Sequence, residues 1–107
     1  MLQYHKFMIS FEWGELKAEI NWRKHGVTFS RAKFVFEDPY AITEPDRIVA
    51  GEVRWQTVGL VGGVAMLLVA HTSIERNEDE LIRIISARRA NRQERRRYEE
   101  NRKNYAD

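Results

Sequence analysis

The sequence predicts an α+β domain: a mostly antiparallel sheet of four or five strands, two helices near the N-terminus and a basic helix at the C-terminus. Three observations predict it. The hydrophobic pattern alternates, turns helical, alternates again over several segments and ends helical. The later alternating segments follow one another with only turns or loops between them, which is how antiparallel neighbours connect. Positive charge collects at one end: residues 81–107 carry nine Lys and Arg against four acids, and residues 1–80 carry nine against twelve, in a chain of net charge +2.

Lys6 to Trp13 alternates, with Phe7, Ile9 and Phe11 on one side, and reads as a strand. Glu15 to Lys24 has helical spacing: Leu16 and Ile20 share an apolar face, and Lys17, Asn21 and Lys24 another, polar one. His25-Gly26 closes this helix, because glycine takes the left-handed conformation of a helix end. Ser30 caps a second, short helix carrying Ala32, Phe34 or Val35, and Phe36. Asp38-Pro39 stops it, since a residue before proline avoids the α region. Ala41 to Thr43 reads as a short strand and Glu44 to Gly51 as an exposed loop.

Glu52 to Val61 is a strand with Val53, Trp55 and Thr57 on one face and Glu52, Arg54, Gln56 and Val58 on the other. Gly62-Gly63 makes a hairpin turn. Val64 to Thr72 is apolar on both faces, which predicts a central strand covered on both sides. Ser73 to Glu80 reads as an acidic loop and Leu81 to Ala87 as the last strand. Asn91-Arg-Gln-Glu94 is a capping box, so the last helix starts there and runs toward Tyr105. It has little to bury besides Tyr98 and Tyr105. It is therefore expected on the surface, supported by the pairs Arg95–Glu99, Arg96–Glu100 and Glu99–Lys103. Trp13, Trp55 and the phenylalanines at 29, 34 and 36 read as core.

A length of 107 residues fits a single domain over 1–107. There is no cysteine, hence no disulfide, no thiolate chemistry and no Cys-based zinc site. Histidines stand only at 5, 25 and 71, without His-x-x-x-His or Asp-x-Asp spacing, so no metal and no cofactor is expected. The longest apolar run, Val64 to Ala70, is too short to cross a membrane. With no signal-peptide pattern, a cytoplasmic protein is expected. The basic end points to a polyanion or an acidic protein as partner.

Several residues are candidates for chemistry, each with a structural alternative. His25 is an acid, base or phosphate contact, or a side chain complementing a helix C-terminus. Glu52 and Arg54 pair a carboxylate base with a phosphate-binding cation, or form a solvated ion pair. His71, on the Leu67 and Val69 face at the end of the central strand, is a site residue or a half-buried structural histidine. Arg83 alternates with Leu81 and Ile85 and must reach solvent, a carboxylate or a ligand, because a buried unpaired charge is prohibitive. Arg88 stands at the strand-to-helix corner. Arg89, Arg92, Arg95 and Arg96 hold a nucleic-acid backbone or an acidic partner protein, or form a solvated face. Tyr98 stacks on a base or anchors the helix.

The run Phe11-Glu12-Trp13, Lys17, Asn21, Lys24-His25-Gly26-Val27 and Phe29 resembles the opening signature of the BrnT family, toxins of type II toxin–antitoxin systems. Asp38-Pro39, Glu52-x-Arg54 ahead of Gly59, His71-Thr72, Arg83 to Ala90, and Glu94-Arg95 with Tyr98 continue the resemblance in order. Gly14 stands where the family usually has Asp, and Asn91 where Thr is common. Residues 1–10 precede the usual start and read as an N-terminal extension. The resemblance implies a RelE-like fold, ribonuclease activity that arrests growth, and neutralisation by a BrnA-type antitoxin. That antitoxin carries a DNA-binding domain, so operator DNA is met only through the complex, which represses its own operon. It also implies catalytic roles among Lys24, His25, Glu52, Arg54, His71, Arg83 and Arg88.

Cutting RNA without a metal requires binding the phosphate, deprotonating the 2′-OH, stabilising phosphorane charge and helping the 5′-oxygen leave. Arginine suits the charge, since its planar fork binds phosphate bidentately. His or Glu serves as base, and His, Lys or Arg assists the leaving oxygen. A second reading is a non-catalytic nucleic-acid-binding or regulatory module that uses the basic helix.

Overall fold

A computed structural model describes residues 8–106. Its elements are β1 (Ile9–Glu12), α1 (Glu15–His25), α2 (Phe29–Ala32) running into a 3-10 helix (Lys33–Glu37), β2 (Ile42–Val49), β3 (Glu52–Val61), β4 (Ala65–Arg76), β5 (Asp79–Arg89) and α3 (Arg92–Ala106). The five strands form one sheet in the order β1-β5-β4-β3-β2. β2–β3, β3–β4 and β4–β5 are antiparallel hairpins, as expected from their short connections. β1 lies parallel to β5, so the sheet is mixed. No turn joins those two strands; β1 reaches β5 only through the rest of the chain, and nothing forces it to be antiparallel.

The helical part differs from expectation. One full helix, α1, stands near the N-terminus. The expected second helix is a single turn that tightens into the 3-10 segment, capped by Thr28 Oγ1 on the Arg31 N–H at 3.2 Å rather than by Ser30. Both expected loops are strand. β2 continues through the polar stretch 44–49, where no alternation shows because residues 43–49 are exposed whichever way they point. β4 and β5 extend through 73–80 to a tip at Asn77 and Glu78, both at positive φ. Of the strand expected over Lys6–Trp13, Ile9–Glu12 forms; 6 and 7 lie outside the described residues, as do 1–7 of the expected extension, whose Ile9 and Ser10 belong to β1.

The sheet is covered on both faces, which is why β4 is apolar on both. On the side of α1, α2 and the 3-10 helix, Phe29 and Val35 of these helices pack with Val69, Ile82, Ile84 and Ala87 of the sheet. On the other side, Tyr98 of α3 packs with Val58, Met66, Leu68 and Ala90. α1 is not held by the apolar face read from its spacing: Leu16 and Ile20 are exposed. Asn21 is buried instead. Its Nδ2 donates to Val27 O and Ala87 O, each at 2.9 Å, and its Oδ1 accepts from the Ala87 N–H at 3.0 Å, which fastens the helix to β5. Three such bonds fix the helix in place of the small apolar stripe, because leaving a buried amide unmatched is costly. Gly26 ends α1 at φ 68, its N–H on Trp22 O. Gly59 matters for packing: a Cβ there would stand 3.1 Å from Val35 O, so the 3-10 helix would have to yield by a few tenths of an ångström.

α3 starts with the expected capping box. Asn91 Oδ1 accepts from the Glu94 N–H and Glu94 Oε1 accepts from the Asn91 N–H, both at 2.8 Å. Tyr98 is 1% exposed and donates its hydroxyl to Asp38 Oδ2 at 2.6 Å. Asp38 also accepts the Tyr40 and Leu60 N–H groups, so the residue that stops the short helix pins α3 and β3 together. The expected Arg–Glu and Glu–Lys pairs along α3 do not form; Arg97 reaches Glu44 of β2 at 3.3 Å. Among the described residues, no helix is long and apolar enough to cross a membrane.

Candidate active site

α3 covers only part of its sheet face. Past Val58 and Leu68 the side chains turn polar, and strand register sets them in rows. Arg47 pairs with Arg54, and Thr72 pairs with Arg83, which pairs with Glu12. The β3–β4 ladder ends at Trp55↔His71, so Arg54 and Thr72 each stand one residue past it. The next row toward α3 holds Glu44, Gln56, Ala70 and Ser86. Arg88, opposite Leu68, closes the series beside α3.

Arg83 and Arg88 are five residues apart, an odd spacing that would put them on opposite faces of a regular strand. A bulge prevents this. Ala70 pairs with Ser86 but His71 with Ile84, so Ile85 is extra and the alternation shifts by one. Both arginines then share a face, while Ile84 and Ala87 stay in the core on the other. Ile85 itself does not continue the Leu81–Arg83 face as its spacing implied. With Ser86 it lines a cleft of about 310 Å³ with Lys17, Ile20, Lys24 and His25 of α1. Lys24 and His25 thus share a cleft with the bulge segment between the two arginines, but no arginine of the face lines it.

The arginines differ in what holds them. Arg88 is gripped from both ends of its fork: Nη1 and Nη2 donate to Glu94 Oε1 and Oε2, both at 2.9 Å. Glu94 holds Arg88 protonated above its ordinary range, against a smaller opposing effect of burial. Burial pushes the Glu94 carboxyl up, but the hydrogen bonds from Arg88 and Asn91 outweigh it and hold Glu94 below its ordinary value. Arg83 meets Glu12 at 3.1 Å, with both side chains about half exposed, a pair that solvent weakens. Arg54 is half-buried, and its Nε is a buried donor with no hydrogen-bond partner among the described residues. Such a donor is costly unless something accepts from it. Glu52 lies two residues away on the same face, exposed near the hairpin tip.

The family model described as ribonuclease toxin, BrnT, of type II toxin-antitoxin system matches residues 13–94, which contain this whole arginine face. The chain belongs to the BrnT family. The crystal structure of the Brucella abortus ribonuclease toxin BrnT is similar, with a TM-score of 0.53 and 22% identity, over 79% of this chain and 99% of that one. That likeness concerns the fold. No curated protein matches the chain.

Not every candidate of this BrnT-family chain joins the face. His71 lies on the opposite side of the sheet, 2% exposed, against Phe36. Its Nδ1–H donates to Thr72 O at 3.2 Å, and its Nε2 meets Thr57 Oγ1 at 2.8 Å, which in turn meets Thr43 Oγ1. Burial pushes its imidazole below the ordinary 6.5, outweighing the Thr72 carbonyl and Glu80. It is buried on the face opposite the arginine cluster and is not a member of it. Tyr98 is an anchor, too buried to stack on a base. Arg89 points to the opposite face from Arg88, opposite Leu67. Arg92, Arg95 and Arg96 are exposed on α3, without an ion pair among the described residues.

Sequence reasoning missed Glu12, Gln56 and the second role of Glu94. Glu94 was visible as a capping residue, but its grip on Arg88 needs the corner between β5 and α3. Glu12 and Gln56 carry no local signal; register alone places them. Among the described residues no three His, Cys, Asp or Glu side chains gather as a metal site would need.

Proposed function

We propose that this BrnT-family chain is an endoribonuclease that cuts RNA on the arginine face without a metal ion. Cutting arrests growth in the cytoplasm until a BrnA-type antitoxin covers that face, and the complex represses its own operon through the antitoxin's DNA-binding domain. The observation that carries the reading is Arg54: a guanidinium with a buried, unpartnered Nε beside a row of cations awaits an acceptor, and a phosphate offers one. Arg83, only loosely held by Glu12, supplies the second fork. Together they stabilise the charge that builds on the non-bridging oxygens when the 2′-oxygen attacks phosphorus.

His25 and Lys24, in the cleft at Ser86, are the proton-handling candidates, and Glu52 is the alternative base. One group takes the 2′-OH proton; another delivers a proton to the departing 5′-oxygen, leaving a cyclic phosphate. Arg88, locked by Glu94, holds the corner rigid. Arg92, Arg95 and Arg96 extend the cationic track for the RNA backbone or the antitoxin, giving binding that weakens with salt.

The test is induced expression in a bacterial host, alone and with any adjacent small gene, followed by cleavage of RNA by the purified protein in EDTA. The reading expects growth arrest with RNA loss, relief by the neighbour, and cleavage undiminished by EDTA. Normal growth and intact RNA, with folded protein present, would move the chain to the non-catalytic binding module. Activity lost in EDTA and restored by Mg²⁺ would reject the metal-free route.

A further inference from the structure

Next to the arginine face, a polar cleft of about 460 Å³ opens between β3 and the start of α3. Gln56, Asn91, Gln93, Glu94, Arg96 and Arg97 line it. The one acid lining it, Glu94, is bound by Arg88, and neighbouring Glu44, which pairs with Gln56 across the strands, is bound by Arg97. What remains free is mostly carboxamide. Neither Gln56 nor Gln93 makes a side-chain hydrogen bond among the described residues, and Asn91 uses only its oxygen, as the helix cap. Opposite Gln56 stands Ala70, a small residue that leaves the sheet surface open beside it. Gln56 follows Arg54 by two residues on the same face, so the cleft begins where the proposed phosphate site ends.

We infer that this cleft is a purine-binding subsite, which reads one unstacked base of single-stranded RNA next to the phosphate held by Arg54. The inference rests on the ribonuclease reading above and adds its sequence preference. A carboxamide presents a donor and an acceptor side by side, the match for the N6/N7 edge of adenine, and an arginine fork such as Arg96 matches the O6/N7 edge of guanine. Both pairings use purine N7, which a pyrimidine lacks. Unpaired RNA exposes these edges, and its proteins read them in this way. The cleft is also within the size range of small-ligand sites, large enough for one nucleotide. With Glu94 and Glu44 paired, it does not repel the adjoining phosphates.

The experiment is mapping of cut sites in a mixed RNA pool by the full chain, wild type beside Gln56→Ala/Gln93→Ala and the isosteric Gln56→Glu, each checked for folding by circular dichroism. The expected result is a purine preference at one position flanking the cut. In the double variant that preference should shrink about ten- to hundredfold, the range one bidentate base contact gives, with cutting elsewhere retained. Gln56→Glu, which keeps the shape and loses the amide donor, should shift the adenine–guanine ratio. A pyrimidine preference, no preference, or a preference unchanged in both variants would overturn the subsite. If the wild type cuts nothing, the ribonuclease reading fails by itself. Binding of non-cleavable 2′-O-methyl oligonucleotides differing in one base then decides the cleft separately: a purine preference lost in the variants supports it, and equal binding of all four overturns it.

Discussion

Replacing Arg54 with methionine separates the cost of this site from its use. Methionine keeps most of the side-chain length and carries no donor. Among the described residues Arg54 Nε is buried without a partner, and such a donor typically costs about 1–3 kcal/mol. The guanidinium is only half-buried, which reduces that figure, and the variant loses some stem packing. Arg54→Met is therefore expected to be as stable as wild type or more so, by up to about 1–2 kcal/mol. For a domain of this size each 1 kcal/mol moves Tm by roughly 4–8 °C. Cleavage should fall by about 10²–10³-fold, the loss on removing one preorganised donor from a developing oxyanion. Arg54→Lys, which keeps the charge but not the fork, should lie between. The assays are urea unfolding and initial cleavage rates on the same preparations. A variant destabilised by 1 kcal/mol or more with proportionate loss of activity would show that Arg54 holds the fold. Wild-type cleavage by a stable Arg54→Met would remove Arg54 from the phosphate site.

Tyr98→Phe removes the hydroxyl from Asp38 and leaves a carboxylate with two backbone donors; unfolding should show a loss of about 1–3 kcal/mol, as for hydrogen bonds to charged groups. In the folded protein burial, with Asp38 beside it, pushes the Tyr98 hydroxyl well above its ordinary range, so the phenolate absorbance expected near pH 10–11 should be short by one tyrosine until the protein unfolds. His71 is held neutral, with its folded value below 6.5, so its contribution is complete above that pH and is lost as pH falls through the folded value. Wild-type Tm should drop between pH 7 and 5, and His71→Gln should be less stable at pH 7 but flatter across that window; equal slopes would contradict the burial argument. Arg88→Ala strands Glu94, whose side chain is 11% exposed, and should lower stability before it lowers the intrinsic cleavage rate of the molecules that stay folded.

Local signals carried the hairpins, the doubly covered β4, the Gly26 helix end and the α3 capping box, because each depends on residues within one turn or one strand. β2 was illegible past Thr43, since an edge strand with little to bury shows no alternation. β1 was legible as a strand, but not its parallel partner. The arginine face was legible only as a set of residue types. Periodicity puts Arg83 and Arg88 on opposite sides; the Ile85 bulge reverses that, and no residue near it announces a bulge. Asn21 read as polar surface because its partners, Val27 and Ala87, lie six and 66 residues away.

The three arginines of the face are not equivalent, and their differences follow from who answers each charge. Arg88 is answered twice by a nearly buried Glu94 that is itself fixed by the α3 cap, so its geometry is set before any ligand arrives. Arg83 is answered once, by a half-exposed Glu12 on the edge strand, and a phosphate can take that place at little cost. Arg54 has no acceptor at its buried Nε among the described residues. An incoming anion therefore gains most at Arg54, next at Arg83 and least at Arg88. This gradient runs from the β2–β3 side, where the β3–β4 ladder ends, to the rigid corner at α3. On the proposed reading, a carboxylate of a neutralising partner placed near Arg54 would satisfy the same donor as a substrate phosphate.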